Sequence, residues 1–583
     1  MPANRSRARQ FFKTACQFWT GVTGVRAWIQ TAAVLACVGA QISVAVWINN
    51  WNRQFFDALE TRNPSAIWEV VVWLPGLVAV AAIVLSALVV SRMALQIRWR
   101  QFLTTTLVGR WVSDQHYYHL QNSAPDLPAP EYRIAEDGRL AIEPLVEFVI
   151  GLVTAVVSAL TFATILWRVA GSANFRIGTI EVEIPSYMAL AAIAYAGMTS
   201  YAAYVAGWPL VKRIAGKNEA EARFRADMTR MRENAESIAL IRGDADERLS
   251  LMHGYGRVVS KWFALMRQQG IVALVLNANS AFFPIVPLLL IAPKYVSGAV
   301  TLGAVMQVVA AFMAVQAALI WFVDNFLRLA EWFASVERVD ELQEALDQFN
   351  HGIAIDPGQT IKFGASADDG IHIQRLSLRH AGGASVLART SLSIKKGERV
   401  LIGGESGVGK STLIRALAGL WPWGGGTIDF PLNQSVAFVP QKPYLPLGSL
   451  RSVLLYPHAT RSPSDERLIA VLQRCGLGDM APRLGEVSPW DRELSGGERQ
   501  RIAFARLLIQ IPDIVIMDEA TSALDEESQT SLLTLFDEAL QHATLISVGH
   551  RASLDDFHDR KLIMTKAIGG ATLQSVPLAR GLA

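Results

Sequence analysis

Cysteine is scarce in this chain. Only Cys16, Cys37 and Cys475 occur among 583 residues. They have neither metal-ligand spacing nor the even count of a disulfide framework, so they read as structural thiols. Charge is scarce as well, at 18% of residues with a formal net charge of +3. So slight a balance over so long a chain gives no electrostatic footprint for nucleic acid. A cleavable leader is not expected. The N-terminus is basic at Arg5, Arg7, Arg9 and Lys13, but the apolar run that follows starts near Ala27 and lasts about as long as a membrane span. "VLAC" at 34–37 lies inside that run, which therefore reads as an uncleaved helix.

Hydrophobic residues are abundant, at 51%. They concentrate in the first part of the chain, where six runs near 27–48, 69–91, 147–169, 185–207, 271–292 and 303–323 each approach the ~20 residues a bilayer core demands. Lys and Arg crowd the N-terminus, 92–140 and 211–262, whereas 49–66, 170–184 and 293–302 carry few. That bias puts the long basic segments and both ends of the chain on the cytoplasmic side. Residues 96–120 and 218–249 keep a helical rhythm, so the spans are expected to continue as helices beyond the membrane. Turns are expected over 122–137 and 236–247, where short helices would press on a soluble domain. Pro284 and Pro287 predict a kink in the fifth span. Asn277, Asn279, Gln307, Gln316, Asp324, Glu143 and Glu147 are polar groups in or beside spans. Such groups either line a watery path or hydrogen-bond between helices.

Beyond "EWFASVERVDELQEAL" (331–346) the composition shifts, and apolar runs alternate with helical patterns as in an α/β domain with a largely parallel sheet. The expected organisation is an N-terminal segment 1–26, a six-span all-α membrane domain 27–335, a linker 336–370, an α/β domain 371–566 and a tail 567–583.

"GESGVGKST" spans Gly404, Glu405, Ser406, Gly407, Val408, Gly409, Lys410, Ser411 and Thr412, between the apolar strand "ERVLIG" and a helix. That context is what a phosphate loop requires: glycines turn backbone N–H groups toward phosphates, Lys410 places a cation on them, and Ser411 offers a hydroxyl to Mg²⁺. "IVIMDEA" (514–520) is its complement, a buried strand ending in Asp518 for the Mg²⁺ shell and Glu519 for the attacking water. ATP and Mg²⁺ are thus the expected cofactors.

"LSGGERQR" (494–501) completes the set and resembles the signature of the ATP-binding-cassette (ABC) ATPases. "VPQKPYL" (439–445) resembles that family's glutamine loop, "SALD" (522–525) its D-loop and "SVGH" (547–550) its switch-histidine strand. The resemblance covers 371–565. It implies that Gln441 contacts Mg²⁺ or the attacking water, that His550 bonds the γ-phosphate, and that Asp525 acts across a dimer interface. It also implies that Ser495, Gly496 and Gly497 begin a helix that receives a phosphate held by a second copy of the chain. The family's adenine-stacking aromatic is missing from "LSLRHAGGASVL" (376–387), leaving His380 or Arg379 for that role.

Six spans before one cassette resemble the type IV, exporter-fold ABC half-transporter. "YRIAED", "APKYVSGAVTLGAVMQ", "WFVDNF" and "WDRELSGGERQRIAFARLL" are similar to the bacterial BacA/SbmA-type group with a fused ATPase, kin to the peroxisomal ABCD transporters. The resemblance implies an ATP-driven homodimer in a bacterial inner membrane, in contact with lipid, importing peptides or other bulky hydrophilic solutes, corrinoids included. Export of lipids, acyl-CoA-like molecules or drugs is the alternative within the class. A membrane-anchored ATPase that moves no solute is the alternative outside it.

Overall fold

The computed structural model describes residues 4–21, 24–123, 129–177, 180–350, 360–380, 382–457 and 463–578. It divides into two compact units, one of Met1–His116 with Asp126–Asp347 and one of Tyr117–Pro125 with Gln348–Ala583.

The first unit is built on long helices. Among the described residues, six are long and apolar enough to cross a membrane: Gly24–Glu60, Pro64–Gln121, Pro130–Ala170, Tyr187–Glu233, Asp244–Val296 and Leu302–Phe326. Five of the six predicted runs fall inside them, and the fourth, 185–207, starts two residues before its helix. Many large apolar side chains remain exposed, among them Trp73 at 75% and Leu289 at 69%. Such a surface suits hydrocarbon rather than water. A tight cluster around Phe162, Leu166, Met188, Ile291, Val308 and Phe312 joins the third to the sixth of these helices at one end. The fifth breaks where its prolines predict: one helix ends at Phe282, Pro284 caps the next, and that helix runs Ile285–Val296.

The helical extensions are confirmed with one correction. The first, expected to be helical over 96–120, breaks after Val112, where Asp114 and Gln115 take left-handed backbone angles. A short helix, His116–Ser123, follows. The second extension turns where expected, through the short helix Ala235–Leu240 and left-handed Arg242. Two further elements go beyond the sequence reading. The segment before the first span is a helix, Asn4–Thr20, and its Phe11, Ala15 and Phe18 are buried. The Asp340 carboxylate accepts from the Phe11 N–H at 2.7 Å, and Phe18 and Trp19 pack on Trp99. A two-stranded antiparallel hairpin, Ala173–Ile177 with Ile180–Ile184, joins the third and fourth spans.

The polar groups in and near the spans are largely satisfied by one another. Glu143 pairs with Arg100 at 3.0 Å and Arg139 at 3.2 Å. Glu147 pairs with Arg328 at 2.6 Å. Asn49, Asn50 and Arg53 of the first span bond Gln307 of the sixth. For these groups, bonding between helices accounts for their presence without a transport path.

Among its described residues the second unit carries two large sheets and a two-stranded pair, Gly448–Ser449 with Val487–Ser488. The larger has six strands in the order Thr572–Pro577, Arg560–Thr565, Arg399–Gly404, Thr544–Val548, Ile514–Asp518 and Val436–Val439, all parallel except the first pair. The smaller has four, in the order Ile361–Ser366, Gly424–Pro431, Ile371–Arg379 and Ser385–Ile394. One core, including Leu376, Leu378, Ile402, Leu413, Ile428 and Ile546, fills the space between them. The expected domain limits need correcting. The last helix of the first unit runs Leu302–Asn350, so most of the first half of the expected linker is helical. Ile361–Ser366 already belongs to a sheet, and Thr572–Pro577, within the expected tail, is an edge strand. Short edge strands carry little periodicity of their own, and their pairing partners decide them.

Candidate functional site

Parallel strands deliver side chains to one edge of a sheet, and ligands collect beyond the carboxyl ends of such strands. Here Arg399–Gly404, Thr544–Val548 and Ile514–Asp518 lie side by side, with Ile402 opposite Val548 and Val548 opposite Asp518. Gly404, His550 and the pair Asp518 and Glu519 therefore emerge at the same edge.

The loop after Gly404 is shaped by backbone that only glycine adopts easily. Gly404, Gly407 and Gly409 have φ of 136°, 75° and 109°. A Cβ on Gly409 would stand 2.6 Å from Val386 Cγ1. Glu405, Ser406 and Gly407 are exposed, while Val408 and Thr412 anchor the loop in the core. Helix Lys410–Leu417 starts directly from the loop, and no side chain caps its N-terminus. Its free N–H groups and dipole thus face the loop, as an anion site requires. Lys410 is buried, and its Nζ donates to the carbonyls of Gly404 at 2.9 Å and Glu405 at 2.8 Å. Burial holds its pKa below the usual lysine range, against the pull of Glu519 and Asp518.

Ser411 Oγ donates to Asp518 Oδ1 at 3.2 Å. Burial raises the Asp518 pKa, and the Ser411 bond, Arg415 and Lys410 oppose the shift. A hydroxyl and a carboxylate touching at a phosphate-loop edge fit a Mg²⁺ ion, which takes one or two protein oxygens and completes its shell with phosphate and water. Among the described residues no cluster of three or more His, Cys, Asp or Glu forms a cage for a metal. A Mg²⁺ held by Ser411 and Asp518 would take its remaining ligands from phosphate and water.

Glu519 is the hub of the edge. Gln441 Nε2 donates to its Oε2 at 2.7 Å, and His550 Nε2 lies 3.2 Å from its Oε1. The three residues expected to act in catalysis thus meet around one carboxylate. Glu519 holds a left-handed φ of 49°, a conformation a non-glycine residue keeps only when its surroundings enforce it. Its N–H bonds the Val548 carbonyl, and its own carbonyl accepts from Ser522.

Ser495 is the N-cap of helix Gly496–Gln510 and closes a full capping box with Glu498. Ser495 N–H and Oγ both donate to Glu498 Oε2, at 2.8 and 2.7 Å. Cβ atoms on Gly496 and Gly497 would lie 3.3 Å and 3.4 Å from Ala523, so the loop after Glu519 packs closely on this helix start. Asp525 caps the following helix, Glu526–Ala539.

Gln500 was not singled out from sequence. It is 2% exposed, and its amide ties the Gln441 loop and the Ser522–Ala523 loop to helix Gly496–Gln510. Nε2 donates to the Gln441 carbonyl and Ser522 Oγ, both at 3.3 Å, and Oε1 accepts from Ala523 N–H at 3.0 Å. A buried glutamine one turn into the helix was the only signal available, and its partners are remote in sequence. His380, expected against adenine, is exposed on the turn after Ile371–Arg379. Its ring meets Trp421 edge-on at 5.9 Å, and Trp421 Nε1 bonds the Arg379 carbonyl.

Comparison with known proteins agrees with this geometry. Residues 21–296 match the family model for ABC transporter transmembrane region 2, and 387–522 match that for the ABC transporter ATPase. The chain is 32% identical over 558 residues to an uncharacterized ABC transporter ATP-binding protein of Synechocystis, covering 91% of this chain and 80% of the relative. It is 29% identical over 545 residues to the inner membrane ABC transporter ATP-binding protein YddA of Escherichia coli, covering 93% and 95%. It is 26% identical over 510 residues to the human lysosomal cobalamin transporter ABCD4, covering 82% and 81%. Among solved structures it resembles a bacterial Atm1-family ABC exporter with ATP bound, at a TM-score of 0.71 and 18% identity, over 93% of this chain and 95% of the other. That likeness shows the exporter fold. With six membrane-crossing helices before an ATP-binding α/β domain whose hydrolysis of ATP is coupled to transport, the chain belongs to the ABC transporter family.

Proposed function

We propose that the chain works as a homodimer in a bacterial inner membrane, with both termini cytoplasmic, and imports peptides or other bulky hydrophilic solutes. The observation that carries the catalytic part is the Glu519 carboxylate held between Gln441 and His550 beside the Ser411–Asp518 contact. In this reading Gly404 to Thr412 cradle the phosphates, and Lys410 turns from its loop carbonyls to the β/γ oxygens. Ser411, Asp518 and Gln441 hold Mg²⁺, which would neutralise charge on the phosphates when bound. Glu519 polarises the attacking water and His550 bonds the γ-phosphate. Ser495, Gly496 and Gly497 reach the nucleotide of the second copy, and His380 lies against adenine. Closing on two ATPs reshapes the membrane path, and product release resets it.

The resemblance of the stretches quoted above to the BacA/SbmA-type group supports import. Similarity to a cobalamin transporter of the D family supports a bulky polar cargo. The exporter fold supports a second reading, in which the solute moves outward; fold alone does not set direction.

Two measurements test the proposal. Purified Glu519→Gln in lipid vesicles is expected to lose at least about a hundredfold in ATP turnover while still binding ATP; full turnover defeats the catalytic assignment. Vesicles with ATP confined to one side, offered labelled peptide, corrinoid and lipid, then report direction and cargo. Accumulation only on the side opposite the cassettes would replace import with export.

A further inference from the structure

The membrane unit contains a cavity of about 470 Å³ between helices Tyr187–Glu233, Asp244–Phe282 and Leu302–Asn350. Its walls are dominated by apolar side chains, among them Met198, Phe282, Ile320 and Val323. The size suits one or two large side chains rather than a whole bulky solute. Most polar groups at its wall are already engaged. Tyr195 Oη donates to Asn279 Oδ1 at 2.7 Å, and Gln316 Nε2 donates to Thr199 Oγ1 at 3.1 Å. Thr199 in turn bonds carbonyls of its own helix.

Asp324 differs from these neighbours. It lines the same cavity from the sixth span, and among the described residues it has no hydrogen-bond or ion-pair partner. The arginine one turn further on, Arg328, is turned to Glu147 on another helix. A carboxylate in a membrane-crossing helix is costly without a counterion, and its presence there marks a place where a cation is received. The apolar walls disfavour a small, strongly hydrated ion and accept a cation carried on a hydrophobic body.

We propose that this cavity is a subsite for a cationic, apolar-flanked group of the transported solute, an ammonium or guanidinium beside aliphatic or aromatic side chains, with Asp324 as its anchor. This deepens the transport reading and rests on it. The cavity selects one segment of a larger cargo, and Asp324 determines its charge.

The test uses the full chain in lipid nanodiscs without nucleotide and three capped tripeptides, acetyl-Phe-Lys-Phe-amide and its Gln and Glu counterparts, with affinity read by calorimetry. The lysine peptide is expected to bind about tenfold tighter than the glutamine peptide. Asp324→Asn is expected to bring the two within about twofold, and Asp324→Glu to retain the preference. Ala203→Trp, which fills the cavity from its wall, is expected to weaken both. A lysine preference that survives Asp324→Asn overturns the proposal, as does the absence of binding by the unaltered protein. A shift from dimer to monomer in Asp324→Asn, with the preference unchanged, also overturns it and makes the cavity a surface covered by the second copy. Because binding is read without ATP, a lysine peptide that binds at Asp324 but is never accumulated by vesicles leaves this inference standing and removes the import reading. Accumulation of a solute with no dependence on Asp324 does the reverse.

Discussion

Gln500→Ala should uncouple the loops around the Glu519 carboxylate while leaving the phosphate loop in place. The side chain is buried and makes three hydrogen bonds, to the Gln441 carbonyl, the Ser522 hydroxyl and the Ala523 N–H. Two of the three are 3.3 Å long, so each lies in the lower part of the net range of about 0.5–1.5 kcal/mol. Truncation also strands the Ala523 N–H, and an unpaired buried donor costs about 1–3 kcal/mol. A total near 2 kcal/mol follows. Expressed in the activation step, that is roughly a thirtyfold fall in kcat. The assay is ATP turnover by the reconstituted protein across a range of ATP concentrations, with the unfolding midpoint measured alongside. The expected result is a low kcat, a KM within about threefold of normal, and a small fall in stability. A kcat within about twofold of the unaltered protein would refute the reasoning, because the two loops would then hold their places unaided.

Two further outcomes follow from the same structure. His558 is buried, its Nδ1 donates to the Leu554 carbonyl, and Ser547 Oγ bonds its Nε2, which makes it a neutral imidazole. Burial holds its pKa near 4 against an ordinary 6.5, with Arg399 adding to the shift and the Leu554 bond, Asp559 and Asp555 opposing it. Its contribution is complete above about pH 6.5 and is lost as pH falls toward 4, about 3 kcal/mol in all. Denaturant midpoints at pH 7.5 and 5 should therefore converge in His558→Asn, and an unchanged pH dependence would count against the assignment. Gly409→Ala forces a residue at φ 109° and sets a methyl 2.6 Å from Val386 Cγ1, a strain of about 1–3 kcal/mol. ATP affinity measured by a fluorescent analogue should fall at least about tenfold. Gly256→Ala, with nothing within 4 Å of the added methyl, should leave it unchanged.

The parts of this protein legible in its sequence are those governed by local chemistry. A span must be apolar for its whole length, so each of the six announced itself. The phosphate loop needs its glycines, lysine and serine at fixed offsets, and the structure adds only their geometry. What escaped depends on partners far away in the chain. Phe11, Ala15 and Phe18 keep helical spacing, yet distant partners, among them Trp99, Phe102, Trp332 and Asp340, make that helix a packed element. Glu143 and Glu147 were candidates for a solute path until Arg100 and Arg328, 43 and 181 residues away, supplied their counterions. The outer strands Ile361–Ser366 and Thr572–Pro577 read as linker and tail because an edge strand has only one neighbour to define it. Gln500 sits inside a recognised motif, but its role lies in which loops meet there.

The bond between Ser495 and Glu498 has a consequence for how two cassettes part. At rest the start of the signature helix already carries a negative plug, its own glutamate, seated on the donors of Ser495. In the proposed homodimer, a triphosphate brought by the second copy would have to evict that plug or share with it. Engagement in that arrangement would swap one set of charge-assisted contacts for another, so the clamped pair would rest in a shallower well than it would without the glutamate. A shallow well empties readily once the terminal phosphate leaves, and the glutamate is on hand to take back its place.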